Sequence, residues 1–309
     1  MSENDADTPP AGNQAPCVGA SARCVPDSSA LVDFVSQCGP IFVLSGAGCS
    51  TASGIPDYRD SDGRWKVSEP MRYQEFVRST EARRRYWSRS FAGWPRVAAS
   101  RPNAAHRALA ALERVGLVHQ LVTQNVDGLH QAAGHRRVID LHGSLAWVDC
   151  LDCRSRVPRA EVQERIAAAN PEHVADPSAF APDGDALVSP RQEGAFRVPD
   201  CPRCGGVLKP AVVFFGENVP RPRVEHALAK LRGSAAVLAV GTSLTVYSGF
   251  RFCREAAGRG IPIALVNRGR TRADDLATLR VDGEVGEILS ALATQLGADG
   301  THAADLHHH

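Results

Sequence analysis

Three groups of residues in this chain could do chemistry: two cysteine pairs, a glycine-rich turn and a histidine at a strand end. Cys150-Leu151-Asp152-Cys153 and Cys201-Pro202-Arg203-Cys204 are Cys-x-x-Cys knuckles. That spacing lets both thiolates of a pair reach one tetrahedral Zn²⁺, and two pairs close the site. Four protein ligands leave no open position, so the metal is expected to hold structure. The glycine-rich stretch runs from Gly46 to Arg59 and follows Ile41-Phe42-Val43-Leu44, a run that reads as a buried parallel strand. A strand feeding such a turn suits a diphosphate, because glycines let backbone N–H groups approach it. Gly46 and Gly48 fit the first two glycines of a dinucleotide fingerprint, but Thr51 stands where the third would fall. Taken alone, the stretch is equally a strand ending in a tight turn. Cys49 within it reads as a small buried residue rather than a nucleophile. His142 ends Val138-Ile139-Asp140-Leu141-His142 and, taken alone, reads more readily as a structural residue than as a catalytic one.

These residues need a frame. A helix is expected after Pro26-Asp27-Ser28-Ser29, stopped at Cys38-Gly39-Pro40. From about 72 to 98 the pattern is helical, with Arg83-Arg84-Arg85-Tyr86-Trp87-Ser88-Arg89 at its centre, and Pro102-Asn103 opens another helix. Strands are expected at Leu121–Asn125, Val138–His142, Ala211–Gly216, Ala235–Val240 and Ile263–Asn267, and helices at about 248–258 and 285–296. Strands alternating with helices specify a doubly wound parallel α/β sheet. Ligands bind beyond the carboxyl ends of such strands. Gly46–Ser50, Gln124–Asp127, His142, Thr242–Ser243 and Asn267 all fall there, which argues for one shared site. The cysteine pairs are separated by residues 154–200, with a helix expected near 158–168 and a polar loop at Ala181–Asp185.

The balance of the chain narrows its class. It has 309 residues, 43% of them hydrophobic, and a net charge of +1, so bulk charge implies no nucleic-acid or other polyanion partner. Only Lys66, Lys209 and Lys230 are lysines among 35 basic residues, which reads as coding bias. Neither a secretory leader nor a membrane span is recognisable, so the nine cysteines are expected in a reducing, cytoplasmic setting. His307, His308 and His309 are given no function, since they resemble a tag remnant.

In this arrangement the sequence resembles the sirtuin family of NAD-dependent protein deacylases. The matching pieces are Gly46–Ser50, Gly54–Arg59, Thr123-Gln124-Asn125-Val126-Asp127-Gly128-Leu129-His130 and Leu141-His142-Gly143. The four cysteines, Lys209-Pro210, Val213-Phe214-Phe215-Gly216-Glu217, Gly241-Thr242-Ser243-Leu244 and Val266-Asn267 complete the set, in family order, over about residues 28–296. The resemblance implies a Rossmann-type NAD-binding domain (26–146 and 207–298) with a small inserted zinc module (147–206); the Ser-, Asn-, Asp-, Ala-, Pro- and Gly-rich residues 1–25 are expected to be a disordered tail, and 299–309 a flexible one. NAD, consumed as a co-substrate, and an acyl-lysine protein or peptide would meet in the cleft between the domains.

The resemblance also implies roles. Ala47, Gly48, Ser50, Thr242 and Ser243 would hold the diphosphate. Asn267 would meet the adenosine ribose, and Val285 would lie by the adenine. Ile55, Asn125 and Asp127 would shape the nicotinamide pocket, while Arg59 and Gln124 lie along the ribose and phosphates. Gly46, Asp57, Tyr58 (where the family usually has Phe), Trp65, Val126, Gly241, Arg268 and Gly269 belong to the same cofactor site. His142 would be the general base, with Asn125 and Asp127 assisting. The acyl-lysine oxygen attacks C1′ of the nicotinamide ribose, nicotinamide leaves, and a base is then needed by the ribose hydroxyls. The peptide would pair as an extended strand between Val213, Phe214, Gly216 and Glu217 on one side and Leu244 and Val246 on the other.

Within the family the likeness is to class II, a branch with a mitochondrial member. Arg83–Arg89, Gly93-Trp94-Pro95, Ala181–Asp185 and the long insert carry it. Tyr86 and Arg89 share a helical face at i and i+3 and could grip one carboxylate, so longer or acidic acyl groups are expected. The competing reading is a plain deacetylase with a solvated arginine helix. The insert is expected to fold toward the cleft and limit acyl access. Two other functions stay open on the sequence: protein mono-ADP-ribosyl transfer, and a non-catalytic NAD-sensing module.

Overall fold

The computed structural model describes residues 23–24, 29–57, 70–173, 186, 188 and 190–298. Its strands are β1 (Arg23–Cys24), β2 (Ile41–Ser45), β3 (Val118–Thr123), β4 (Val138–Asp140), β5 (Gly143–Cys150), β6 (Arg156–Pro158), β7 (Leu208–Val212), β8 (Val237–Val240), β9 (Ile263–Val266) and β10 (Leu279–Val281). Its α-helices are α1 (Ser29–Cys38), α2 (Tyr73–Arg78), α3 (Thr80–Ala99), α4 (Ala104–Arg114), α5 (Leu129–Ala132), α6 (Arg159–Ala169), α7 (Pro190–Ala195), α8 (Arg221–Arg232), α9 (Tyr247–Gly258) and α10 (Val285–Gln295).

The larger sheet runs β1-β10-β9-β8-β2-β3-β4, and all its pairings are parallel. Central β2 is buried along its whole length. Its side chains alternate between two cores, as period-two geometry requires. Ile41 and Val43 pack with Leu31 of α1, Leu109 and Leu112 of α4 and Leu289 of α10. Phe42 and Leu44 pack with Leu231 of α8 and Phe252 and Ala256 of α9. A strand buried on both faces cannot alternate apolar with polar, which is why β2 reads as a continuous apolar run. The doubly wound α/β sheet expected from the sequence is the one observed. Strand order reverses at β2: the chain runs outward through β3 and β4 on one side, and through β8, β9 and β10 on the other. Arg23–Cys24, inside the segment expected to be a tail, pairs with β10 as an edge strand.

A second, three-stranded antiparallel sheet, β6-β5-β7, packs α3 and α6 around Phe76, Trp87, Val148, Ile166 and Leu208. The helix expected across 72–98 is two helices. Ser79 breaks it by capping α3, accepting a hydrogen bond from Ala82 N at 3.1 Å. The expected strand at Ala211–Gly216 is shifted: β7 is Leu208–Val212 and belongs to the small sheet. The cause is Gly143, whose φ of +84° turns β5 so close to Ala211 O that a Cβ would lie 2.1 Å from it. Beyond Val212 the chain leaves the sheet toward the cleft. Among the described residues no helix is long and apolar enough to cross a membrane.

Candidate active site

The turn at the end of β2 lies at the point where strand order reverses, and it is interlocked with the turn after β8. Gly46 N donates to Val240 O (3.1 Å) and Gly48 N to Gly241 O (2.8 Å). A Cβ on Gly46 would meet Thr242 Cβ at 2.6 Å, and one on Gly48 would meet Gly241 Cα at 2.9 Å. At Gly241, whose φ is +57°, a Cβ would lie 2.6 Å from Cys49 N. The glycines are therefore required by the meeting of two backbones, and they leave a cradle lined by main chain. This cradle fits a diphosphate. Gly46, Ala47, Gly48, Asp57, Gln124, Asn125, Val126, Gly241, Thr242, Ser243, Asn267, Arg268 and Val285 all line one cleft of about 1220 Å³. Burial pushes the Cys49 thiol up to about 12, so it is inert.

Behind the cradle, polar side chains are fixed by one another. Asn125 Nδ2 donates to Gly46 O and to Ser50 Oγ, both at 3.0 Å. Ser50 Oγ donates to Asp127 Oδ2 at 2.7 Å, and Leu129 N donates to Asp127 Oδ1 at 2.9 Å. Burial raises the Asp127 carboxyl above its ordinary range, against these two bonds. Gln124 Nε2 donates to Thr242 Oγ1 at 3.0 Å, tying the ends of β3 and β8. Ser50, Ile55 and Asp127 thus stand behind the cleft wall. Gly269 also lies back from it, its carbonyl accepting from Arg280 at 2.9 Å. Tyr58, Arg59 and Trp65 lie outside the described residues.

His142 follows β4 and opens into the same cleft. Its Nδ1 is 2.9 Å from Gln124 O, and its Nε2 is 2.7 Å from Ser248 Oγ. A carbonyl oxygen only accepts, so Nδ1 carries the proton and Nε2 keeps its lone pair. Burial, with Arg223 and Arg251 nearby, pushes the imidazole down to about 4. At neutral pH the ring is a neutral base.

The wall opposite the cradle is the segment after β7. Lys209 Nζ lies 3.0 Å from Glu217 Oε2 and donates to Val212 O at 2.6 Å, while Phe214 N donates to Glu217 Oε2 at 2.9 Å. This pair of a buried lysine and a half-buried glutamate shapes Val213–Glu217 into a loop whose edge faces the cleft, with Gly216 at φ +76°. Val213, Phe214, Gly216 and Glu217 line the cleft, as do Leu244 and Val246 across from them. Leu244 holds a φ of +56°, a costly conformation for a non-glycine residue.

Tyr86 and Arg89 are not brought together on one ligand. Tyr86 lines the cleft. Arg89 turns away: its Nε donates to Glu193 Oε1 of α7 at 2.7 Å, and its carbonyl accepts from Ala186 N at 3.0 Å. Nor is the arginine helix simply solvated, because Tyr86, Trp87 and Ser88 are buried. Arg159 of α6 is held over the rings of Trp87 (5.4 Å) and Trp94 (4.9 Å). Ala181–Asp185 falls outside the described residues.

Beyond β5 and β7 the four cysteine sulfurs lie within 4.8 Å of one another. Cys150 Sγ is 3.6 Å from Cys204 Sγ, and Cys153 Sγ is 3.8 Å from Cys201 Sγ. Tetrahedral Zn²⁺ with bonds of about 2.3 Å sets its thiolates roughly 3.8 Å apart, so the donor set fits a closed zinc site.

A profile of the Sir2 family matches residues 46–248. The chain belongs to the Sir2, or sirtuin, family. An NAD-dependent protein deacetylase of Xanthomonas axonopodis pv. citri is 55% identical over 266 residues, covering 86% of this chain and 91% of that protein. NAD-dependent protein deacetylase 2 of Bradyrhizobium diazoefficiens is 56% identical over 255 residues, covering 82% and 93%. A solved Sir2 structure with a p53 peptide and NAD+ superposes with a TM-score of 0.71 at 28% identity, covering 88% of this chain and 99% of that one. In this sirtuin the sequence reading missed Ser248 and Arg251 on the cleft wall. A serine two residues into a helix reads only as a capping signal, and nothing in sequence ties it to a histidine 106 positions away.

Proposed function

We propose that this sirtuin is an NAD-dependent protein-lysine deacylase with His142 as general base and one structural Zn²⁺ on Cys150, Cys153, Cys201 and Cys204. The observation that carries the reading is the position of His142, a neutral imidazole in one cleft with the glycine cradle and the Val213–Glu217 loop. The names of the deacetylase relatives support the activity. NAD supplies the ribose carbon that takes the acyl oxygen as nicotinamide departs.

The chain's own groups do the rest. Main chain at Ala47 and at Thr242–Ser243 holds the diphosphate, since Gly46 N, Gly48 N and Gly241 N are already bonded within the fold. Asn125, kept in place by Gly46 O and Ser50 Oγ, with Ile55 and Asp127 behind it, shapes the nicotinamide pocket. Asn267 and Val285 take the adenosine end. His142 Nε2 accepts a ribose hydroxyl proton while Nδ1–H stays on Gln124 O. Val213–Glu217 and Leu244–Val246 offer two edges to an extended acyl-lysine peptide, a mode that gives affinity with little sequence preference. We keep the division into an NAD-binding domain (26–146 and 207–298) and a zinc module (147–206), although the small sheet reaches past both bounds of the module, from Gly143 of β5 to Val212 of β7. A reducing, cytoplasmic setting suits a chain whose cysteines serve as zinc ligands.

We assign the chain to class II on the insert and on how it docks. Arg159 of α6 packs on Trp87 and Trp94, and α7 engages Arg89. Of the expected carboxylate-gripping pair, Tyr86 then remains to read the acyl chain, and Arg89 serves to anchor the insert. The test is a panel of matched acetyl, succinyl, glutaryl and lipoyl peptides with isotopically labelled NAD. Free O-acyl-ADP-ribose is expected, with Tyr86→Phe changing the acyl ranking and Arg89→Met acting through the insert. Label fixed on protein instead would favour mono-ADP-ribosyl transfer.

A further inference from the structure

Ser248 sits in the first turn of α9, whose start is set by Val246 O accepting from Gly249 N and Phe250 N, each at 3.2 Å. This turn comes unusually near the end of β3. A Cβ on Gly249 would lie 2.4 Å from Gln124 Oε1 and 2.7 Å from its Cδ. Gln124 is thus pressed from one side by Gly249, bonded through its side chain to Thr242, and bonded through its carbonyl to His142 Nδ1. The same close approach brings Ser248 Oγ within 2.7 Å of His142 Nε2. Both ring nitrogens therefore have a partner, and the two partners come from different elements. With Nδ1 protonated, the Ser248 hydroxyl must be the donor to Nε2.

We propose that Ser248 is a positioning residue for His142: at rest its hydroxyl donates to Nε2 and fixes the plane of the imidazole, and it turns from donor to acceptor as a ribose hydroxyl takes its place on the Nε2 lone pair. This rests on the reading of His142 as the base. A hydroxyl suits the task because it can donate and accept in turn. When the ribose hydroxyl loses its proton, that O–H bond breaks and an Nε2–H bond forms. The ring becomes an imidazolium, with Nδ1–H still on Gln124 O, and Ser248 Oγ can then accept from Nε2–H. Nothing is oxidised, and one proton has moved from ribose to histidine. An alanine could hold the space but neither hydrogen bond. The close approach of Gly249 is what gives the serine its reach, so the two residues form one device.

The role predicts where in the reaction the defect falls. Nicotinamide departs before the base is needed, so base-independent exchange of labelled nicotinamide into NAD separates the two halves. Ser248→Ala is expected to lower kcat for product formation roughly tenfold, an orientation-sized loss, with exchange and the KM for NAD within twofold of the parent. Ser248→Thr, which keeps the hydroxyl, should recover most of kcat. Gly249→Ala, which pushes the turn from Gln124, should give the same split. The proposal is overturned if Ser248→Ala forms product at the parent rate, or if exchange falls in step with turnover and threonine fails to rescue. His142→Ala is run alongside: if it stays active, the base reading itself fails, whereas an inactive His142→Ala beside an unaffected Ser248→Ala removes only the role of the serine.

Discussion

Gly46→Ala tests the cradle most sharply, because Gly46 has an extended φ of −140° that any residue adopts, so the substitution costs nothing in backbone conformation. The cost comes from space. The new Cβ would lie 2.6 Å from Thr242 Cβ and 2.9 Å from Gly241 O, where carbon atoms prefer roughly 3.5–4.0 Å. Relief requires the two turns to part by about 1 Å. That would stretch the Gly46 N to Val240 O bond beyond its present 3.1 Å and out of hydrogen-bonding range. Overpacking costs about 1–3 kcal/mol and a lost hydrogen bond about 1 more, so destabilisation of about 2–4 kcal/mol is expected. Thermal unfolding should show a Tm lower by roughly 3–6 °C. Calorimetric titration should show weaker NAD binding, and kcat/KM should fall about a hundredfold, the rate cost of a 1 Å misplacement of positioning groups. Gly258→Ala is the control: it sits at the end of α9 with nothing within 4 Å of its Cβ, and should be neutral or slightly stabilising. A Gly46→Ala protein with parental Tm and NAD affinity would refute the argument that the two backbones need this glycine.

Three further outcomes follow from the geometry. Metal analysis should find one zinc per chain, lost in Cys201→Ser together with the thermal stability of the small sheet, because closed zinc sites contribute folding energy directly. Lys209→Met leaves Glu217 without its cation at 3.0 Å, so the KM for acyl peptide should rise roughly tenfold while that for NAD is nearly unchanged. Burial depresses His106 and His142 to about 4 from the ordinary 6.5, and lowers His130 as well. Protonation therefore favours the unfolded chain: the stability is complete above about pH 6.5 and is lost as pH falls toward 4, by about 2 kcal/mol at pH 5 for each of His106 and His142. Denaturant titrations at pH 7 and pH 5 measure this, and equal stability at the two values would contradict it.

The larger sheet was legible because its strands are buried on both faces, which leaves uninterrupted apolar runs such as Ile41–Leu44 and Val237–Val240. The cradle was half legible. Gly46 and Gly48 were recognisable, but their reason is the backbone of Gly241 and Thr242, nearly 200 positions away. The segment at 211–216 misled because Val212-Val213-Phe214-Phe215 has strand composition; the bend is imposed by Gly143 and by Glu217 folding back on Phe214 N. Tyr86 and Arg89 showed helical spacing correctly, but spacing does not reveal that Glu193 claims Arg89. Ser248 was invisible for a related reason: its partner is chosen by how closely α9 approaches β3, a property of the packed fold.

The central claim is that acyl transfer to NAD runs in the cleft around His142. The most direct measurement is the mass-spectrometric time course of an acetyl-lysine peptide with NAD, for the parent protein and for His142→Ala. The account predicts deacylated peptide, nicotinamide and O-acyl-ADP-ribose in equal amounts from the parent, and a 10²- to 10⁴-fold slower appearance of O-acyl-ADP-ribose from His142→Ala, on the scale of general-base catalysis. Deacylation without NAD consumption, or O-acyl-ADP-ribose formed at the parental rate by His142→Ala, would contradict it.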